Sequence, residues 1–182
     1  MRVLLIDDHT LVRKGLEQLL QSRGVEIAAS VSNGQEGIAQ ALALKPDIVL
    51  LDMKMPDMNG TETLKQLRAA GVAAPILMLT MSRDEQDLQA ALRNGAQGYL
   101  LKDMDPEDLV PALQDAMLGN NVVAKELIGS LTRLVQGRSG RSAAKTTSTD
   151  LLADLTPREL EILRHVAEGE SNKAIGRALD IT

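Results

Sequence analysis

Cysteine, tryptophan and phenylalanine are absent from the 182 residues, and Tyr99 is the sole aromatic ring. Without cysteine there is no disulfide framework and no thiolate chemistry, which fits a reducing cytoplasm. No apolar run approaches the roughly 18 residues that a membrane span needs, and the apolar start at Met1–Leu5 is too short for a signal peptide. The expected setting is therefore cytoplasmic, with no membrane partner. No Gly-x-Gly-x-x-Gly follows the first apolar run, which argues against a dinucleotide site, and the absence of Gly-x-x-x-x-Gly-Lys-Ser/Thr argues against a P-loop enzyme. Excess positive charge is missing too. The net charge is −5, with 11 Lys and Arg against 17 Asp and Glu in residues 1–119 and 9 against 8 in residues 120–182. That balance argues against a generic nucleic-acid coat but leaves room for a small DNA-reading module at the C-terminal end.

What is present is a repeating α/β pattern. Hydrophobic residues make up 44% of the chain, enough for one ordinary domain and a small second one. Val3–Ile6, Val25–Val31, Asp47–Asp52, Pro75–Thr80 and Gly98–Leu101 read as strands. The stretch between the first two, Thr10–Gln21, places Val12, Leu16, Leu19 and Leu20 on one helical face. Ser32 with Gln35 reads as a capping box for a helix through Ile38, Ala41 and Leu42 that stops at Lys45-Pro46. A third helix follows Gly60, carries Leu64 and Leu67, and ends near Gly71. Ser82 with Glu85 reads as another capping box, for a helix that buries Leu88, Ala91 and Leu92 and closes at Gly95. Asp105-Pro106 is an N-cap followed by proline at the first helical position, and that helix runs to Leu118-Gly119. Pro111 is a misfit inside it, costing about 3 kcal/mol relative to alanine and marking a candidate kink. Strands alternating with helices, joined by right-handed crossovers, predict an α/β fold: a five-stranded, doubly wound parallel sheet over residues 1–119.

The stretch from Asp47 to Gly60 organises this domain. Ile48–Leu51 is unbroken aliphatic sequence, suited to a strand buried on both faces, and it delivers Asp52 where open α/β sheets bind ligands. Other strands end on Asp7-Asp8, Thr80 and Lys102. All carboxyl ends of a parallel sheet share one edge, so these side chains should converge. Three carboxylates in one pocket repel unless a cation sits among them, and oxygen ligands with open positions suit Mg2+. Lys102 and Thr80 would offer an ammonium and a hydroxyl to the oxygens of an incoming phosphoryl group. Taken singly, each of these residues has a plainer reading: a solvated acidic turn, a structural threonine, a lysine facing water.

Leu5-Ile-Asp-Asp-His9, Leu51-Asp-Met-Lys-Met-Pro56, Thr80 and Gly98-Tyr-Leu-Leu-Lys102 together resemble the signature positions of a two-component response-regulator receiver domain. The resemblance implies a flavodoxin-like fold in which Asp52 takes a phosphoryl group from a phosphohistidine on a sensor histidine kinase. It implies that Asp7 or Asp8 and Asp52, with the main-chain carbonyl of Lys54, hold Mg2+. Thr80 and Tyr99 match the switch pair of such domains, in which the hydroxyl moves toward the phosphoryl group and the ring turns inward.

Residues 120–150 read as a linker. Leu127, Leu131, Leu134 and Val135 have helical spacing, and Gly137–Thr149 is a Gly/Ser/Thr tether. In residues 151–182, Thr156-Pro-Arg-Glu159 is a capping box with proline at the first helical position, and Ser171 caps a second helix. Pattern alone makes this a helical hairpin. Leu155-Thr-Pro-Arg-Glu-Leu-Glu-Ile-Leu163 and Ser171-Asn-Lys-Ala-Ile175 resemble the opening of the LuxR-type helix-turn-helix of the NarL/FixJ family. Leu100–Leu109 and Arg177–Thr182 are most similar to its nitrate/nitrite-responsive branch. Ala174 departs from the acid usual there, and Gly176 sits mid-helix at a cost of roughly 1 kcal/mol. The recognition helix that enters the major groove is expected beyond Thr182, so promoter DNA is a partner for the full-length protein. The resemblance further implies a tail held against the receiver near the strand ends until phosphorylation releases it, and a homodimer on phosphorylation. Two rivals are a receiver that signals by protein contacts alone and a Mg2+-dependent aspartyl phosphatase, an enzyme class that usually carries Asp-x-Asp on its first strand.

Overall fold

The structure is a computed structural model that describes residues 1–135. Its backbone separates into two compact units, Met1–Ile128 and Gly129–Thr182. Within the first, β1 (Arg2–Ile6), α1 (Thr10–Ser22), β2 (Glu26–Val31), α2 (Gly34–Leu44), β3 (Ile48–Asp52), α3 (Gly60–Ala69), β4 (Ile76–Thr80), α4 (Glu85–Arg93), β5 (Gly98–Leu101) and α5 (Pro106–Met117) alternate as expected. The strands lie parallel in the order β2-β1-β3-β4-β5, and a two-residue strand, β6 (Val122–Val123), pairs parallel with β5 at the outer edge. A 3-10 turn at Lys125–Leu127 follows, burying Leu127. A last described helix, α6, spans Ile128–Val135. The tether, the two tail helices and the tail's packing on the receiver lie outside the described residues. Among the described residues no helix is long and apolar enough to cross a membrane.

Every residue of β3 and of β4 is buried, because helices cover both faces of the sheet. One face carries Val3, Leu5, Ile48, Leu50, Leu77, Leu79 and Leu100, packed with Leu20 of α1 and Leu109, Leu113 and Ala116 of α5. Alternation sends Leu4, Ile6, Val49, Leu51, Ile76, Met78 and Tyr99 to the other face. There α2 meets β1, α3 meets β3 and α4 meets β5, with Leu64, Leu67, Leu88 and Ala91 all buried. Leu92, expected in that core, is only half-buried.

Two expected caps sit elsewhere. Helix α2 is capped by Asn33, whose side chain accepts from the Glu36 amide at 2.9 Å, one residue after the expected Ser32. Helix α4 is capped by Asp84, which accepts from the Gln86 amide at 2.8 Å. Asn, Asp and Ser are comparable caps, so the position is set by the chain path, which is extended at Asn33 and Asp84 where each helix begins. The cap at Asp105 with Pro106 opening α5 is as expected. That helix runs on through Pro111. The carbonyl deprived of its partner is that of Glu107, and both residues are exposed, so water can satisfy it.

Glycine is required at Gly60, where α3 starts under the end of β3. A Cβ there would lie 2.1 Å from the Asp52 carbonyl oxygen and 2.8 Å from Met53 Cα. Both are backbone atoms, so relief means moving the chain that carries Asp52. Gly15, in contrast, is an exposed mid-helix residue of α1 with nothing within 4 Å of a built Cβ. Urea titration should therefore show Gly60→Ala losing about 1–3 kcal/mol and Gly15→Ala gaining about 0.5–1 kcal/mol. Equal responses at the two positions would contradict the close approach at Gly60.

Candidate functional site

The register of the sheet assembles the site. β1 and β3 are aligned with Ile6 beside Leu51, so the next residues, Asp7 and Asp52, leave the sheet side by side. β4 is set so that Asp52 pairs with Leu79, and β5 so that Thr80 pairs with Leu101. Asp52, Thr80 and Lys102 thus step outward along one edge. The Lys102 amide donates to the Thr80 carbonyl at 2.8 Å, continuing the ladder past the strand end.

Asp7 and Asp52 are 2% and 3% exposed. The Lys102 ammonium lies between them, 2.8 Å from Asp7 Oδ2 and 2.8 Å from Asp52 Oδ2. The Lys54 main-chain amide donates to Asp52 Oδ1 at 3.3 Å. His9 folds back over the pair: its amide donates to Asp7 Oδ1 at 2.8 Å. Its ring Nδ1 stands 3.1 Å from Asp8 Oδ1, 3.3 Å from Asp7 Oδ1 and 3.5 Å from Asp52 Oδ2. Arg13 of α1 donates to the Asp7 carbonyl at 2.6 Å, pinning the loop after β1.

One ammonium cannot balance three carboxylates. Burial pushes the Asp52 carboxyl above the usual carboxylate range, and the charge of Asp7 adds to the rise; Lys102 and the Lys54 amide oppose it without cancelling it. Asp7 Oδ2 and Asp52 Oδ2 share the one Lys102 ammonium, while Asp8 Oδ1 is closed to solvent and receives no hydrogen bond. Ligand atoms of Asp7, Asp8, His9 and Asp52 all lie within 4.8 Å of one another. Three carboxylates that share one ammonium, with Asp8 Oδ1 left without a hydrogen bond, fit a divalent cation bound by oxygen.

Thr80 and Tyr99 are connected through Ser82. The Thr80 hydroxyl accepts from the Ser82 amide at 3.0 Å, and the Tyr99 hydroxyl donates to the Ser82 carbonyl at 3.4 Å. Ser82 Oγ in turn donates to Asp87 of α4 at 2.6 Å. The Tyr99 ring is fully buried, in the inward position. Burial, with Asp87 adding, pushes its hydroxyl up to about 12, so it remains a donor at any physiological pH. Arg83 and Asp103 form an ion pair between the loops that follow β4 and β5, which holds Asp103 below the usual carboxylate range.

The structure thus brings together Asp7, Asp8, Asp52 and Lys102, with the Lys54 amide against Asp52, and joins Thr80 to Tyr99 by way of Ser82. Three participants carried no role in the sequence reading: His9, Arg13 and Ser82 as connector. His9 alone had a signal, as the residue that directly follows the acidic pair.

Residues 3–114 match the response regulator receiver domain, and residues 153–182 match the luxR family of bacterial regulatory proteins. The nitrate/nitrite response regulator protein NarL of Escherichia coli K12 is 44% identical over 181 residues, covering 99% of this chain and 81% of that protein. A nitrate/nitrite response regulator protein homolog of Haemophilus influenzae is 39% identical over 183 residues, covering 100% of this chain and 83% of that one. Among solved structures, a LuxR-family two-component response regulator from Aurantimonas sp. SI85-9A1 superposes with a TM-score of 0.69 at 30% identity, over 73% of this chain and 96% of that one. The fold and pocket are those of a response-regulator receiver. The chain belongs to the NarL/LuxR family of two-component response regulators, proteins that regulate transcription rather than catalyse a metabolic reaction.

A raised folded-state pKa means that Asp52's contribution to stability is fully present below its unfolded-state pKa and is lost as pH rises through the folded value. At neutral pH the ionised carboxylate therefore weakens the fold. With divalent ions chelated, Asp52→Asn should raise the melting midpoint at pH 7.5 on the order of 4 °C, the size of effect that about 1 kcal/mol has in such a domain. The gain should shrink toward pH 4. Differential scanning calorimetry at the two pH values checks this, and a midpoint that falls at pH 7.5 would contradict it.

Proposed function

We propose that this chain is a phosphorylation-controlled transcriptional regulator whose receiver accepts a phosphoryl group on Asp52 from a phosphohistidine of a sensor histidine kinase. The observation that carries the reading is the pairing of a buried Asp52 carboxylate with the Lys102 ammonium inside an undercompensated acidic cluster. In the transfer, an Asp52 carboxylate oxygen forms the new P–O bond while the P–N bond of the phosphohistidine breaks, its electron pair returning to the imidazole. Lys102, released from part of its pairing with Asp52, balances the charge of the arriving phosphoryl oxygens. Asp7, Asp8, Asp52 and the carbonyl of Lys54 would hold Mg2+, which when bound supplies charge neutralisation to the phosphoryl group.

Thr80, whose hydroxyl oxygen accepts from the Ser82 amide, then donates its hydroxyl proton to a phosphoryl oxygen and shifts toward it. Tyr99, which holds the carbonyl of the same Ser82, registers that shift on the outer face of the β4–α4 loop. The functional division is a receiver at 1–119, a linker at 120–150 and the first part of a LuxR-type DNA-binding domain at 151–182. Phosphorylation frees that domain for promoter DNA and favours a homodimer, with the whole cycle in the cytoplasm. Nitrate or nitrite is the signal, as supported by the names of the relatives at 44% and 39% identity.

The test is phosphotransfer from a purified nitrate/nitrite sensor kinase. Wild type should take label in Mg2+ and lose that capacity in excess chelator. Asp52→Asn should take none, and Lys102→Ala should be slowed roughly 10²-fold or more, the scale for losing one charge-stabilising donor. Label reaching Asp52→Asn as fast as wild type would overturn the site assignment. Transfer from an unrelated kinase but not from this one would overturn the choice of signal.

A further inference from the structure

The placement of His9 is unused by that function. Its imidazole reaches into an acidic pocket that needs only oxygen ligands for magnesium. Nδ1 approaches carboxylate oxygens of three different residues at 3.1, 3.3 and 3.5 Å. Asp8 Oδ1 is closed to solvent and receives no hydrogen bond, so the ring is not seated there as a donor to it; Asp52 Oδ2 has the Lys102 ammonium at 2.8 Å.

The separations correspond to something else. A tetrahedral zinc ion with arms of about 2.0–2.2 Å to nitrogen and oxygen has ligand-to-ligand edges of about 3.3–3.6 Å. The three edges that run from the imidazole nitrogen to carboxylate oxygens, at 3.1, 3.3 and 3.5 Å, stand close to that spacing, and ligand atoms of all four residues lie within 4.8 Å of one another. Any remaining adjustment falls to the side chains with room to move, His9 at 58% exposure and Asp8 at 28%. Asp7 and Asp52 are held in the core.

We infer that His9 converts the receiver's acidic pocket into a second kind of metal site, in which Asp7, Asp8, His9 and Asp52 close around a zinc-type divalent ion. Magnesium dehydrates reluctantly, prefers oxygen and keeps waters, so it has little use for His9 and leaves positions open for a phosphoryl group. A borderline ion takes the imidazole. With all four positions filled by protein the site is of the closed type, and Asp52 is occupied as a ligand. Zinc would therefore hold the receiver in a state that cannot accept phosphate. That consequence rests on the phosphoryl-acceptor reading of Asp52; the metal selectivity does not.

The experiment uses the full chain, stripped of metal, as wild type, His9→Ala and His9→Gln, with calorimetric titration of Zn2+ and of Mg2+. General affinity order already favours zinc over magnesium, so the informative quantity is the ratio of the two affinities. It should fall at least tenfold in both variants, and His165, the other histidine, is unchanged in all three proteins. Co2+ should give wild type the intense visible absorption of a tetrahedral centre and give His9→Ala the weak absorption of an octahedral one. In Mg2+ with acetyl phosphate as donor, low zinc should block labelling of wild type at concentrations at least tenfold below those needed for His9→Ala.

An affinity ratio unchanged in both variants, or an octahedral cobalt spectrum in wild type, overturns the inference. If zinc-free wild type takes no label while the ratio and spectrum behave as expected, the phosphoryl-acceptor reading fails and the metal site stands. If the ratio and spectrum behave as expected but zinc leaves labelling untouched, the closed-site consequence is overturned. His9 is exposed, so both variants should retain the wild-type melting midpoint. If His9→Ala lowers it, His9→Gln carries the comparison.

Discussion

Three carboxylates share the mouth of this sheet with a single buried ammonium, and much of the molecule is arranged to make that tolerable. Lys102 reaches Asp7 and Asp52 equally because β1 and β3 are adjacent and in register, while β5 delivers the lysine from two strands away. A parallel sheet alone places all these strand ends on one edge. The cost of the arrangement is visible in the raised pKa of Asp52. The pocket is undercompensated, and an undercompensated acidic pocket attracts cations.

The same edge is tied to the outer surface by very few atoms. Thr80 and Tyr99 hold opposite ends of one residue, the amide and the carbonyl of Ser82. Ser82 also grips α4 through Asp87. The Thr80 hydroxyl, the Tyr99 hydroxyl and Asp87 of α4 therefore all meet at one residue. The Tyr99 ring is fully buried in this network. Packing a ring with its hydroxyl bonded satisfies both its apolar body and its polar tip.

Much of this was legible in the residues. Long aliphatic runs ending in Asp, Thr and Lys marked β3, β4 and β5, because a strand buried on both faces admits nothing else. Asp105-Pro106 was legible because proline at the first helical position has a single good reading. The caps of α2 and α4 were misplaced by one or two residues, since Ser32-Asn33 and Ser82-Arg-Asp84 each offer two acceptors and only the path of the incoming chain selects one. β6 was missed because two residues cannot show a period of two. His9 was in plain view in the motif, but a side chain on a loop has no periodicity from which to infer its direction.

Sequence by itself determined the alternation of strands and helices, the faces that must be buried and the residue type at each strand end, for these depend on short-range periodicity and on the cost of burying charge. Only the tertiary structure decided the strand order, the sharing of Lys102 between Asp7 and Asp52, the joining of Thr80 to Tyr99 at Ser82 and the folding of His9 over the acids. Those are contacts between residues far apart in the chain or on irregular loops. Their geometry comes from register and packing, which no local pattern records.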